Sequence, residues 1–137
     1  MIVMVCLDDK NGMMFNGRRQ SKDRVLRERI LELVGENKLW MNAYSAKQFG
    51  AEQILNVQVE EELLRKAGTG EFCFVEEQTL MDVEERIEKL VVFRWNRVYP
   101  ADQYLDLDIV FGNWKLLEQS EFAGHSHEKI TMEVYGR

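Results

Sequence analysis

The side chains of this 137-residue sequence whose type and spacing could do chemistry are few. Asp23 stands two residues after Ser21 at the start of a helical pattern. A carboxylate there can hydrogen-bond a ring bearing an amino group, or simply favour the positive end of the helix dipole. Arg18 and Arg19 form an adjacent cationic pair that can grip an anionic ligand or lie in solvent. Glu76 and Glu77 can line a pocket for an amine-bearing ligand or serve as helix-start acids. His125 and His127, spaced to share one face of a strand, could join Asp102, Asp106 and Asp108 around a metal, but no H-x-H-x-D-H or H-E-x-x-H run supports such a site. No metal is therefore expected. A Ser-His-Asp triad is not expected either, because both histidines lie in one loop and no serine has a nucleophile-elbow context. Neither a P-loop nor a G-x-G-x-x-G run is present. No complete catalytic set emerges.

The bulk properties narrow the classes. Apolar residues make up 45% of the chain and proline occurs once, which is a globular composition. The length suits one domain, residues 1–137, with room for a sizeable core. A net charge of −6 disfavours non-specific nucleic-acid binding, and the three tryptophans lack the basic groove that an aromatic platform for single strands needs. No apolar run approaches the roughly 18 residues of a membrane span. The opening MIVMVCL lacks a basic region and a cleavage site, so it reads as a buried strand and not a secretory signal. Cys6 and Cys73 sit inside apolar runs, too few for a disulfide framework, and a reducing compartment such as the cytoplasm is expected.

These residues need elements to position them. Residues 2–7 are apolar without alternation, as in a strand covered on both faces. Residues 13–20 show no periodicity and read as a loop. Ser21 is the expected N-cap of a helix whose stripe is Val25, Leu26, Ile30, Leu33 and Val34, with Gly35 as its stop. Residues 38–41 read as a strand, and Ser45 as the cap of a short helix to Phe49. A weak strand at 55–59 precedes a helix over 60–67. Residues 72–75 form a buried strand, then Thr79 and Asp82 resemble a capping box for a helix to Ile87. Strands follow at 90–95, near 104–109, at 114–117 and at 130–135. Alternating β and α with a β-rich end implies an α/β fold with a mostly parallel central sheet flanked by helices and an antiparallel C-terminal edge.

With its local sequences, that order resembles dihydrofolate reductase. MIVMVCLDDKNGM is similar to the family's first strand and following loop, and SKD to the motif whose acid holds the pterin ring, which places Asp23 there. KLWMNAYSAKQF resembles the second strand and the helix start facing the cofactor phosphates. KLVVFRWNRVYPADQYLDLDIVFGNW resembles the strand ending near substrate, then an alanine-aspartate pair and an aromatic-rich strand, matched by Asp102, Tyr104 and Trp114. HSHEKITMEVYGR is similar to the final strand, with Glu133 near its end. The resemblance implies a pocket lined by Asp23, Met13 or Met14, Phe93 and Tyr99. Burial there would raise the Asp23 pKa, and Arg18 or Arg19 would pull it back.

The sequence departs from the family where NADPH would bind. The family's adjacent glycines, which let backbone N–H groups approach a pyrophosphate, are matched by Glu76 and Glu77. Two carboxylates at about 5 Å would each oppose that anion by roughly 1–3 kcal/mol. Ala43 matches the residue that grips the ribose phosphate, Phe93 the hydroxyl that supports the pterin-binding acid, and Gly17-Arg18-Arg19 the proline-tryptophan pair. Ser45 and Asp23 alone match a cofactor and a substrate contact. NADPH-dependent folate reduction is therefore not expected, and the cofactor is left open. Three readings follow: a binding protein for a small heteroaromatic ligand, an oxidoreductase of the superfamily using another nucleotide, and an interaction module, such as a homodimer, without ligand. None involves nucleic acid or a membrane.

Overall fold

The computed structural model describes residues 1–50 and 56–137. Its frame is a seven-stranded sheet in the order β5-β4-β6-β1-β7-β10-β9. The strands are β1 (Ile2–Leu7), β4 (Leu39–Met41), β5 (Val57–Val59), β6 (Phe72–Phe74), β7 (Lys89–Arg94), β9 (Lys115–Phe122) and β10 (Ile130–Gly136). The first five run parallel, while β10 lies antiparallel on β7 and β9 antiparallel on β10. The fold is α/β with a mostly parallel sheet and an antiparallel C-terminal edge.

The unbroken apolar run of β1 has a physical cause. Val3, Val5 and Leu7 enter one core layer, and Met4 enters the other with Ile2 and Cys6 packed beside it. Both faces are covered, so alternation would bury polar groups. In β7, Leu90 and Val92 face one layer, and Val91 and Phe93 the other. Helix α1 (Arg24–Val34) covers the second layer with Leu26, Ile30 and Val34, each such burial contributing about 2 kcal/mol. It ends at Gly35, whose φ of 57° an L side chain would strain to adopt.

The opposite layer is closed by little regular structure. α3 (Leu63–Lys66) contributes Leu63, and a 3-10 helix over Met81–Arg86 is flanked by buried Leu80 and Ile87. Leu105, Leu107, Ile109 and Trp114 complete it.

Several local expectations are corrected. Residues 13–20 form a hairpin, β2 (Gly12–Phe15) with β3 (Arg18–Arg19), and β8 (Gln103–Tyr104) joins them in a small second sheet. Its turn residues, Asn16 and Gly17, both have positive φ, which matches the right-handed twist of a two-residue hairpin. Asp23, not Ser21, is the N-cap of α1, and Asn42, not Ser45, caps α2 (Ala43–Phe49). The helix expected over 60–67 shortens to α3. No side chain caps the 3-10 helix, because Leu80 holds its cap position. Of residues 104–109 only Tyr104 joins a ladder, although Leu105, Leu107 and Ile109 all turn inward. In the strand expected at 55–59, Leu55 lies outside the described residues.

Candidate functional site: the crevice at the carboxyl ends

The chain leaves β1 for β4 on one side and returns through β6 to β7 on the other. Around such a reversal the loops part at the carboxyl ends of the strands, and ligands of open α/β sheets bind in that crevice. Of the three buried acids near it, Asp8 is tied to its own turn by Lys10 N and Gly12 N, leaving Glu76 and Asp23.

Glu76 follows β6 and is 9% exposed. The Arg19 guanidinium clamps it, Nε to Oε2 at 2.8 Å and Nη2 to Oε1 at 3.1 Å. Ser45 Oγ donates to the same Oε1 at 2.8 Å. Tyr44 holds the arginine in turn: its ring lies 4.3 Å from Arg19 Cζ, and its hydroxyl accepts from Arg19 N at 2.9 Å. Glu77 is exposed and accepts from Asn42 Nδ2 at 2.7 Å, while Asn42 Oδ1 caps α2 through Ser45 N. Arg19, Glu76 and Glu77 thus each have an internal partner, while Arg18 beside them is exposed.

Asp23 is 2% exposed. Oδ1 accepts from Val25 N, Leu26 N and His125 N, and Oδ2 from Ser126 N, Ser126 Oγ and His127 Nδ1. The loop at 124–127, between β9 and β10, thus closes over the carboxylate. Gly124 permits the approach, since a Cβ there would lie 2.6 Å from Asp23 Oδ2. Burial alone would push the Asp23 pKa up, but the donors at His125, His127, Ser126 and Leu26 outweigh it and hold the carboxyl well below its usual range. Burial raises the pKa as expected, but the opposing pull comes from these donors and not from Arg18 or Arg19. On the far side of the ring, His127 Nε2 lies 2.9 Å from Ser21 Oγ and 3.3 Å from Tyr99 Oη, and the imidazole stacks on Trp95 at 4.5 Å.

The structure thus brings Arg19, Glu76 and Ser45 into direct contact and sets Asp23 in a separate cluster. Met13 lines a small cavity of about 10 Å³ with Cys6, Arg19, Gln20, Ser21, Glu76 and Trp95, room for one water at most. Met14 and Phe93 are core residues, the latter edge-on to Phe122. Arg18 and Tyr99 line an open cleft of about 430 Å³ with Phe15, Asn16, Gln20 and Pro100. Nothing in the residue pattern points to Tyr44, to Ser21 as a partner of His127, or to Gly124. Each acts on a group far away along the chain.

The aspartates considered for a metal have other tasks. Asp102 accepts from Asn16 N, Asp106 from Leu80 N and Met81 N, and Asp108 from Val110 N and Phe111 N. Among the described residues no group of three His, Cys, Asp or Glu side chains could hold a metal, and no helix is long and apolar enough to cross a membrane.

A solved structure of dihydrofolate reductase from Enterococcus faecalis, complexed with NADP(H) and RAB-propyl, superposes on the chain with a TM-score of 0.71. The match covers 99% of this chain and 95% of that one at 13% sequence identity. The fold is dihydrofolate reductase-like. No protein-family model matches the sequence, and no curated protein does. Fold identity at this distance fixes the scaffold and leaves function to the site.

Proposed function

We propose that this dihydrofolate reductase-like domain, residues 1–137, has given up NADPH-dependent reduction and binds a small heteroaromatic ligand in the cytoplasm. The observation that carries this reading is the bidentate Arg19–Glu76 pair with Ser45 on the same carboxylate. It fills, with fixed negative charge and matched donors, the place that the family resemblance gives to a pyrophosphate. Displacing the pair would strand a buried charge, which costs about 3–5 kcal/mol. The free thiols Cys6 and Cys73 suit a reducing compartment; burial pushes the Cys73 pKa up to about 12, so it is inert there. A ligand has room beside the pair, in the cleft where Phe15 offers an exposed ring and Arg18 a cation.

Titrating the protein with NADPH while following nucleotide fluorescence tests the first half of the reading. No saturable signal is expected up to about 100 µM, where binding at the crevice would add about 2.7 kcal/mol for a 1 µM site. A low-micromolar midpoint overturns it. A thermal-shift screen with folates, flavins and nucleotides tests the second half, with Arg18→Ala expected to abolish any shift. A second reading, a homodimeric module, is favoured by Val110 and Phe111, which are 71% and 90% exposed near the β9 edge. Sedimentation of the chain beside Phe111→Asp separates the two.

A further inference from the structure

The contacts of His127 reach beyond a structural tie. Asp23, His127 and Ser21 form a continuous relay: Asp23 Oδ2 to His127 Nδ1 at 2.9 Å, then His127 Nε2 to Ser21 Oγ at 2.9 Å. We propose that Ser21 is a nucleophile toward activated acyl compounds, with His127 as its general base and Asp23 as the residue that positions the imidazole.

Three observations support this assignment. First, the tautomer is determined. Every other group on the Asp23 carboxylate is an N–H or O–H donor, so the carboxylate accepts from His127 as well, and the proton of the neutral ring lies on Nδ1. Nε2 is left as the acceptor, and the Ser21 hydroxyl is its nearer donor, ahead of Tyr99 at 3.3 Å. Second, the base is held rigidly. The His127 side chain is 7% exposed and stacked on Trp95 at an interplanar angle of 29°. Third, the nucleophile is reachable. Ser21 lines an open cleft of about 490 Å³ with Arg18, Arg19, Lys22 and Tyr44.

This is the arrangement general-base activation of a hydroxyl needs, assembled without a nucleophile elbow and from residues over a hundred positions apart. In the first step Ser21 Oγ bonds to the acyl carbon and its proton passes to His127 Nε2. The bond to the leaving group then breaks, and that group departs with the proton from His127. Water, deprotonated by the same nitrogen, attacks the acyl-serine ester; the carboxylic acid leaves and the serine regains its proton. Arg18 and Lys22 are exposed cations on the same wall, while Arg19 is committed to Glu76. The favoured acyl donor is therefore an activated ester carrying negative charge. None of this depends on the ligand reading above, because NADPH titration does not involve Ser21.

The test treats the full chain with an alkyl fluorophosphonate and, separately, with 4-nitrophenyl hemisuccinate. Intact mass and peptide mapping are expected to show one adduct, on Ser21, and release of nitrophenolate faster than the buffer rate. Ser21→Ala abolishes both while the protein still folds, its melting temperature lowered only by the loss of one hydrogen bond, since Asp23 and not Ser21 caps the helix. His127→Gln slows labelling by about a hundredfold or more, the usual worth of a positioned base. Absence of an adduct on Ser21 in folded protein overturns the proposal, as does unchanged labelling in His127→Gln. Should His127→Gln fail to fold, labelling of the parent at Ser21 against Ser21→Ala decides alone.

Discussion

Asp23 and Glu76 are both buried acids on the carboxyl side of one sheet, yet they are satisfied in different ways. Glu76 faces a cation, so its own charge is cancelled where it stands. Asp23 draws on backbone N–H groups, a hydroxyl and an imidazole, so its charge persists inside the fold. In the proposed reading, the first arrangement stands where the family resemblance puts an anion. The second binds a loop and, through His127, hands its influence on to Ser21. Burial of an acid therefore does not by itself signal one role. The partner decides it.

The sharpest way to break this comparison is to remove the cation. Arg19→Met leaves Glu76 buried with only the Ser45 hydroxyl, and unfolding in urea should show a loss of about 3–5 kcal/mol. Asp23→Asn is the counterpart. It keeps a good helix cap but turns an amide toward donors at Ser126 and His127, and it should cost about 2–3 kcal/mol by the same measurement. If the two losses were equal, the distinction between charged and neutral partners would carry no energetic weight.

Acid sharpens the difference further. The folded Asp23 pKa is depressed, so its contribution is complete above the unfolded value of about 3.9 and is lost as pH falls through the folded one. Asp8 adds to the same trend: burial raises its pKa, but the N–H groups of Gly12, Tyr99 and Lys10 bring it below the usual value. Melting temperature should hold from neutral pH to about 4 and decline below it, and the decline should be shallower in Asp23→Asn. The smallest effect is expected at Ser45→Ala, which removes one of three bonds to Glu76 and should cost about 1 kcal/mol.

What could be read from the sequence follows the same division. The strands at 2–7 and 90–95 were legible because continuous burial leaves no other pattern, and the resemblance in element order is matched by the fold. The hairpin at 13–20 was missed although Asn16-Gly17 is a strong turn signal, because β3 is only two residues long and offers no period to detect. Ser21 and Asp23 are both good caps, and only the geometry chooses between them. Strand β9 is exposed along most of its length as the sheet's edge, so it shows no alternation. The unfavourable effect of Glu76 on a pyrophosphate could be argued from charge alone. Its arginine lies 57 residues away, and that pairing could not be foreseen.

The loop that closes over Asp23 is supplied by residues 102–104 positions later in the chain. On the ribosome, helix α1 emerges with its capping acid but without the outer donors, and it waits roughly 5–20 s for them at ordinary rates of elongation. Through that interval the nascent chain holds a carboxylate only half answered, exposed to chaperones and proteases, and the relay to Ser21 does not yet exist. Assembly of the hydroxyl, the imidazole and the acid is thus among the last events of biosynthesis, which confines any reactivity of that serine to finished molecules.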